Sequence, residues 1–320
     1  MSSNATRVNL RTGQAKAAQR TVSITRRRRS PLGSNGNRIV FVLPAVALFT
    51  AVVVLPILFN LFYSFTDWNG IGSTFNFVGL ENIVHVFSDP ANVRAVRNTL
   101  VFTGVNSVIQ LALGLALALA LFGAGILRST LRLVIVLPIA VSGVVLGFLG
   151  TVIFDPRSGL LVALSQFPGL GWLAQNWLGD PSLAMGAVIF MNLWQWTGFT
   201  MLIFLAGLST VPSELLEAAT IDGAGAWRRF AHVTWPLLAP AATINIVLTA
   251  IGGFKVFDVI YVLTKGGPGG ATETIVARAV AQGGFGQFGY SAATNLMLTI
   301  LVLSISIILL AILRRRELRA

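Results

Sequence analysis

The sequence is 320 residues long, and its composition excludes an ordinary soluble protein. Only 11% of the residues are Asp, Glu, Lys or Arg, whereas 55% are hydrophobic and the mean hydropathy is +0.78. Soluble domains are about 25% charged, so this composition indicates an integral membrane protein. The net charge of +12 also fits nucleic-acid binding, but 13 of the 23 basic residues lie in the two termini, which argues against that class.

The residue types needed for a metal or redox centre are scarce. The chain has no Cys, and its two His residues, His85 and His232, stand far apart. Disulfides, thiolate metal sites and cysteine nucleophiles are therefore excluded, and we expect no metal centre.

In chain order, a polar tail precedes six apolar stretches. Residues 1–37 are rich in Ser, Asn, Gly and Arg, and we expect a disordered basic tail. A helix needs about 20 apolar residues to cross a bilayer, which predicts an all-α fold with six membrane spans within residues 38–313. The spans are Ile39 to about Phe65, about Asn98 to Phe122, about Leu133 to Phe154, about Leu183 to Leu208, about Ala241 to Thr264, and about Tyr290 to Leu313.

Two further segments bear on the number of spans. The uncharged run 158–179 contains Pro168 and several amide side chains, and we expect it to lie at the membrane surface. The first apolar run follows a basic start, as in a signal peptide, but it is too long and lacks a small-residue cleavage site. We expect an uncleaved anchor. Glycines within the spans, including Gly104, Gly147 and Gly186, are expected to allow close helix packing.

The basic residues predict the orientation, because Lys and Arg concentrate in cytoplasmic segments. The two termini, with the segments around Arg128 and Arg228, hold 17 basic residues, and the opposite side holds five. Both termini, including the basic segment 314–320, are therefore expected in the cytoplasm, which requires an even number of spans.

The loop 209–240, between the fourth and fifth spans, has the pattern of two short helices. Pro212 suits the first turn of a helix, and Gly223 can end that helix. A second helix is predicted from about Ala226 to Val233. We expect Pro236 and Pro240 to stop it. The predicted result is a helix-turn-helix on the cytoplasmic face.

This loop matches a known motif position by position. The matching residues are Glu217, Ala218, Ala219, then Gly223 after three residues, Val233 after nine, Trp235 after one, and Pro236. The pattern resembles the EAA loop of ABC importer permeases, with Val233 and Trp235 replacing Ile and Leu. With Asp222 included, the string is similar to the carbohydrate-uptake branch, which includes the maltose and glycerol-3-phosphate permeases. Five shorter segments also resemble this branch and occur in the expected order along the chain, at 79–82, 97–100, 194–199, 205–208 and 257–268.

The resemblance implies the fold, the partners and the activity. It implies a type I ABC importer transmembrane domain that pairs with a second permease, two ABC ATPase subunits and an extracytoplasmic binding protein to import a sugar or polyol. In that family the EAA loop docks on the ATPase, so the implied coupling residues are Glu217, Ala218, Ala219, Asp222 and Gly223. ATP and Mg would be bound by the ATPase subunits and not by this chain.

The sequence itself contains no ATPase signature or catalytic set. There is no Gly-x4-Gly-Lys-[Ser/Thr] segment to hold phosphates, and no nucleophile, base and orienting acid form a recognisable group. We therefore expect a chain that is not an enzyme by itself. The alternative function is a channel or an ion-coupled secondary carrier, which would need its own coupling-ion site and no ATPase.

Polar residues inside the predicted spans are the candidates for a substrate path. A charge at the centre of a membrane costs about 2.5–3.5 kcal/mol on insertion scales, so Lys255 and Asp258, three residues apart, are expected either to pair or to line the path. The same reasoning selects amides, while an aromatic side chain suits a sugar face. The candidates are Asn192, Gln195, Asn245, Lys255, Asp258 and Tyr261.

Overall fold

The computed structural model describes residues 35–72 and 74–317, with side chains described for 41–72 and 74–313. Of the predicted basic tail 1–37, residues 1–34 lie outside the described residues, and so do the last three residues of the chain. The chain divides into two compact units, Met1–Val54 and Leu55–Ala320. In the first unit, α1 (Asn35–Phe49) is followed by the π-helical segment Thr50–Val54.

The second unit is built from helices and turns, with one isolated β-bridge between Thr66 and Phe77 in its described part. Its helices in chain order are α2 (Leu55–Tyr63), α3 (Glu81–Ser88), α4 (Pro90–Leu121), α5 (Ile126–Val136), α6 (Gly143–Ile153), α7 (Leu160–Ser165), α8 (Ala184–Leu208), α9 (Ser213–Ile221), α10 (Ala226–Arg229), α11 (Trp235–Leu237), α12 (Ala239–Phe254), α13 (Asp258–Leu263), α14 (Ile275–Gly284) and α15 (Phe288–Glu317).

The predicted all-α fold with six spans is confirmed when one bent pair of helices counts as a single span. Five stretches within the described chain are long and apolar enough to cross a membrane. They are Phe41–Tyr63, Pro90–Leu121, Ala184–Leu208, Ala239–Leu263 and Phe288–Leu313. The run 158–179 contributes no span, since it holds only α7, the short helical turn Gly171–Leu173 and other turns.

The third span is broken, whereas the sequence predicts one continuous helix. Its two halves, Ile126–Ala140 and Gly143–Ile153, meet at an angle of 102°. Pro138 lies in the 3-10 turn Leu137–Ala140 before the break, and the Ser142 hydroxyl accepts a hydrogen bond from the Val145 amide to begin α6. The proline ends the first helix because it lacks a backbone donor, and the Ser142 N-cap begins the next.

The fifth span is also interrupted, between α12 and α13. α12 ends at Phe254, after two glycines of low helix propensity, and α13 begins only at Asp258. The carbonyl oxygen of Val256, within the break, accepts a hydrogen bond of 3.3 Å from the Thr274 hydroxyl. Lys255 and Asp258 are therefore not neighbours on one continuous helix, and the described residues contain no ion pair between them.

α8 lies at the centre of the second unit and packs against α4, α5 and α12. Met191 and Met201 of α8 are fully buried, as is Phe102 of α4. α6 packs against α13 through glycines: a Cβ at Gly147 would lie 2.6 Å from the Cβ of Val262. Gly104 and Gly186 have open space around them instead, so the expected packing role does not apply to those two.

A polar network joins α4, α14 and α15 at one end of the unit. The Asp89 carboxylate accepts hydrogen bonds from the Arg278 guanidinium and the Tyr290 hydroxyl, each at 3.0 Å, and from the Ala91 amide at 2.8 Å. Burial opposes ionisation of Asp89, but these hydrogen bonds and the Arg278 charge outweigh it and lower the pKa of Asp89. The network fixes the segment that precedes the last span.

Candidate functional site

A cavity of about 360 Å³ lies between α4, α8 and α12. Trp196 in its wall is near the middle of α8, and Ile251 is near the middle of the span 239–263. At a rise of about 1.5 Å per residue, the cavity therefore sits near mid-depth in these spans. The lining residues are Asn106, Gln110, Asn192, Trp196, Phe199, Thr200, Asn245, Leu248, Thr249, Ile251, Gly252, Gly253 and Lys255.

Hydrogen bonds between the three helices hold the polar part of the wall. The Gln110 amide donates to the Thr200 hydroxyl at 2.8 Å, and the Asn106 amide donates to the Gln110 side-chain oxygen at 3.0 Å. From α12, the Asn245 amide donates to the Thr200 carbonyl oxygen at 3.3 Å. The amides are thus fixed in orientation before any ligand binds.

One acceptor in this wall is left over. The side-chain oxygen of Asn106 is buried and has no hydrogen-bond partner within the described residues. Buried polar atoms are nearly always satisfied, and an amide oxygen can accept from a hydroxyl group. The wall therefore contains a buried acceptor that no group of the described chain satisfies.

Aromatic and charged groups complete the wall. Trp196 and Phe199 lie with ring centroids 6.3 Å apart in an edge-to-face arrangement, and Lys255 follows directly after α12 with an exposed side chain. Amides and hydroxyls beside aromatic faces form a surface suited to a neutral or anionic polyhydroxylated molecule.

The structure brings together three of the six candidate path residues. Asn192, Asn245 and Lys255 line the cavity, whereas Gln195, Asp258 and Tyr261 do not. The sequence analysis missed Asn106, Gln110, Thr200 and Thr249. The signal for the first two was two amides four residues apart in an uncharged span, which places them on one helix face.

The three remaining candidates lie elsewhere. The Gln195 amide donates to the Val141 carbonyl oxygen in the break of the third span. A Cβ at Gly143 would lie 2.8 Å from the Cβ of Asp258, so the start of α13 packs tightly on the start of α6. Tyr261 is half exposed and stacks on Phe257 at 5.1 Å.

The loop 209–240 forms the predicted helix-turn-helix, with one correction. Its first helix is α9, preceded by Pro212 at the N-cap, and Gly223 follows with a φ of +76°, which favours glycine. The prediction that Pro236 and Pro240 stop the second helix is wrong, because helical structure continues from α10 through the π-helical turn Phe230–Thr234 into α11 and α12. Each proline sits in the first turn of a helical segment, where no backbone donor is needed.

The expected coupling residues form an exposed surface on this loop. Glu217, Ala218, Asp222 and Gly223 are exposed and Ala219 is half-buried. The exposed apolar side chains beside them are Ile221, at 86%, and Trp227, at 76%. The Arg229 guanidinium donates to the Thr220 hydroxyl at 2.8 Å and ties the two helices together. A rigid surface of carboxylates and large apolar side chains, facing no other part of the described chain, is suited to bind a partner protein.

Comparison with known proteins identifies the family. Residues 110–318 match the sequence profile of the family described as binding-protein-dependent transport system inner membrane component. The chain belongs to this family. It is therefore an inner-membrane, multi-pass permease of an ABC transporter, and in this family ATP hydrolysis resides on partner subunits and the permease binds no cofactor.

Individual relatives agree over most of the permease. It is 35% identical over 280 residues to the probable ABC transporter permease protein YurN of Bacillus subtilis (strain 168), covering 85% of this chain and 95% of the relative. It is 33% identical to the trehalose/maltose transport system permease protein MalF of Thermococcus litoralis, covering 86% and 93%. The fold matches a chain of a bacterial ABC transporter that imports alginate, with a TM-score of 0.76, 21% identity and coverage of 87% and 95%.

Family membership decides between the two functions drawn from the sequence. The predicted membership in the family of ABC importer permeases is confirmed, and a free-standing channel or ion-coupled carrier is not supported.

Proposed function

We propose that this permease imports a saccharide or related polyol, which passes through the cavity between α4, α8 and α12. The observation that carries the proposal is the composition of the wall, in which four amides and two hydroxyl side chains surround a pair of aromatic rings. Sugar hydroxyls point in many directions and need both donors and acceptors. The likeness to permeases named for sugar transport supports the same substrate class.

The cytoplasmic loop is the proposed contact with the ATPase subunits. Glu217, Asp222 and Gly223 would enter a groove on an ATPase, with Ala218 and Ala219 packing beside them. Because helical structure runs with little interruption from α10 to the end of α12, a displacement of the loop would be carried directly to the cavity wall. Closure of the ATPases around ATP would thereby rock the spans between inward-open and outward-open states.

The proposed complex contains four other subunits. A second permease would complete the path, two ABC ATPases would hold ATP and Mg, and an extracytoplasmic binding protein would deliver the substrate. We place both termini of this chain in the cytoplasm, on the side of the EAA loop. The asymmetry of basic residues supports this orientation.

Transport by the reconstituted complex tests the proposal. A panel of saccharides and polyols, including radiolabelled maltose and trehalose, would be supplied with the binding protein to proteoliposomes. Asn192→Ala should lower uptake of the accepted substrate by about tenfold, the equivalent of one lost hydrogen bond, without loss of the ATPase subunits. Asn295→Ala is the matched control, since that amide lies on α15 outside the cavity lining.

Two results would contradict the proposal. One is normal uptake by both Asn192→Ala and Asn245→Ala. The other is stimulation of ATP hydrolysis by none of the saccharides and polyols in a complex that contains all its subunits.

A further inference from the structure

Lys255 gives the cavity a net positive charge. It is the one charged residue among those that line the cavity, and the others carry neutral amide, hydroxyl, aromatic or aliphatic groups or are glycines. Lys255 directly follows the last residue of α12, so its ammonium group is attached at the end of the helix that forms one wall.

The described chain does not supply a counter-charge. Asp258, the nearest acid in sequence, begins α13 and packs against Gly143, and no carboxylate in the described residues lies within ion-pair distance of Lys255. The partial negative charge at the carboxyl end of α12 compensates the ammonium only in part. A cation within a membrane span usually pairs with another group or marks a substrate path.

We propose that the transported saccharide carries an anionic substituent, a carboxylate or a phosphate, that binds to the Lys255 ammonium group. This inference rests on the proposed function and specifies its substrate class. An ammonium group forms short, charge-assisted hydrogen bonds with such oxygens. A hydroxyl of the same molecule would accept a hydrogen bond from the Asn192 amide, which lines the same cavity. A cavity with one cation and no acid also disfavours cationic substrates.

The absence of cysteine from the sequence allows a direct measurement of this electrostatic preference. Ile251→Cys places one thiol in the cavity wall, one helical turn before Lys255. Ala174→Cys places the control thiol in an exposed loop with no charged residue nearby in sequence. In the complete complex, anionic sulfonatoethyl methanethiosulfonate converts the thiol of this chain to a mixed disulfide with release of methanesulfinate, and the rate is compared with that of the cationic trimethylammonioethyl reagent.

The cavity thiol should favour the anionic reagent. After division by the ratio at the control thiol, the anion-to-cation rate ratio should be on the order of ten with Lys255 present. Lys255→Gln should bring it near one, while Lys255→Arg should preserve it. A ratio that Lys255→Gln leaves unchanged would overturn the inference.

Protection of the same thiol identifies the substituent. Glucuronate and glucose-6-phosphate should each slow alkylation by a neutral maleimide about fivefold more than glucose does, and Lys255→Gln should remove the difference. The compound that protects the thiol more, glucuronate or glucose-6-phosphate, shows whether the site prefers a carboxylate or a phosphate. Equal protection by glucose would overturn the inference of an anionic substituent but would leave the proposal of saccharide transport intact. Protection by none of the three compounds would count against both the inference and the proposal.

Discussion

The side-chain amide of Gln195 donates a hydrogen bond of 2.7 Å to the carbonyl oxygen of Val141 in the break of the third span. Gln195 is buried, and no water is available in hydrocarbon to satisfy a freed carbonyl. Gly198, one turn further along α8, has no side chain where the Ile135 carbonyl approaches. α8 thus accommodates both sides of the bend, with an amide on one side and a bare backbone on the other.

Gln195→Leu should destabilise the permease without acting on substrate binding. The Val141 carbonyl would lose its partner, at a cost of about 1–3 kcal/mol, which thermal unfolding of the purified complex would register. Thr197→Val is the control, because the Thr197 hydroxyl is buried without a hydrogen-bond partner in the described chain. Unchanged stability of Gln195→Leu together with loss of substrate binding would instead make Gln195 a path residue.

Gly147→Ala should loosen the contact between α6 and α13. The added methyl group would lie 2.6 Å from the Cβ of Val262, so one helix must shift, and overpacking of this kind costs about 1–3 kcal/mol. Gly104→Ala adds the same group within α4 where there is open space, and it should leave stability unchanged or raised. Equal melting temperatures for the two variants would show that this contact contributes nothing to stability.

The positions of the spans could be predicted from the sequence because they depend on a local property, the length of apolar chain. The predicted ends of the fourth span lie within a residue of α8. The breaks could not be predicted in the same way. The carbonyl of Val141 is satisfied by Gln195 and that of Val256 by Thr274, so each break depends on a partner distant in sequence.

The candidate site was predictable only in part for a similar reason. Asn192, Asn245 and Lys255 stood out as polar groups in apolar spans. Whether such residues face one cavity depends on how α4, α8 and α12 pack, which no single span encodes. The exposed loop of the proposed ATPase contact was easier to predict from the sequence, because the spacing from Glu217 to Gly223 is contained in one segment.

Acid should weaken the network around Asp89. The pKa of this carboxyl is lowered from its ordinary value of 3.8, so its stabilising contribution is complete above that value and is lost as pH falls through the lower folded-state pKa. Asp89→Asn should cost about 1.5–3 kcal/mol at neutral pH, the range for hydrogen bonds to charged groups. It should also flatten the fall in melting temperature below about pH 4.

Melting temperatures of the complex across that pH range provide the test. Glu81→Gln is the control, since it removes a nearby exposed carboxylate that makes no ion pair in the described chain. An acid-induced loss of stability that is the same with and without the Asp89 carboxylate would rule out this group as its source.

Glu217→Lys and Gly223→Asp should each uncouple transport from the ATPase subunits by weakening their contact with this chain. The first reverses a charge at the proposed ATPase contact, and the second adds bulk at a backbone with a φ of +76°. Loss of a buried charge contact at an interface costs about 2–5 kcal/mol. ATPase subunits should therefore be lost on purification, while substrate delivery by the binding protein persists. Glu214→Lys, one turn earlier on α9, is the charge-matched control, and full uptake by both test variants would refute the docking role.

Single cysteines in the cysteine-free chain should establish its orientation. The excess of basic residues, 17 against five, supports the proposed placement of the termini and the loop 209–240 in the cytoplasm. A cysteine at Asn35 or after Arg316 should then react with a membrane-impermeant maleimide only after the membrane is opened. A cysteine at Asn76 or Gly269 should react in intact cells or, where there is an outer membrane, in spheroplasts. Asn35 and Gly269 are separated by an odd number of spans, five, only if the bent pair of α5 and α6 crosses the membrane once. Labelling of Asn35→Cys and Gly269→Cys from the same side would therefore overturn the orientation and the count of six spans together.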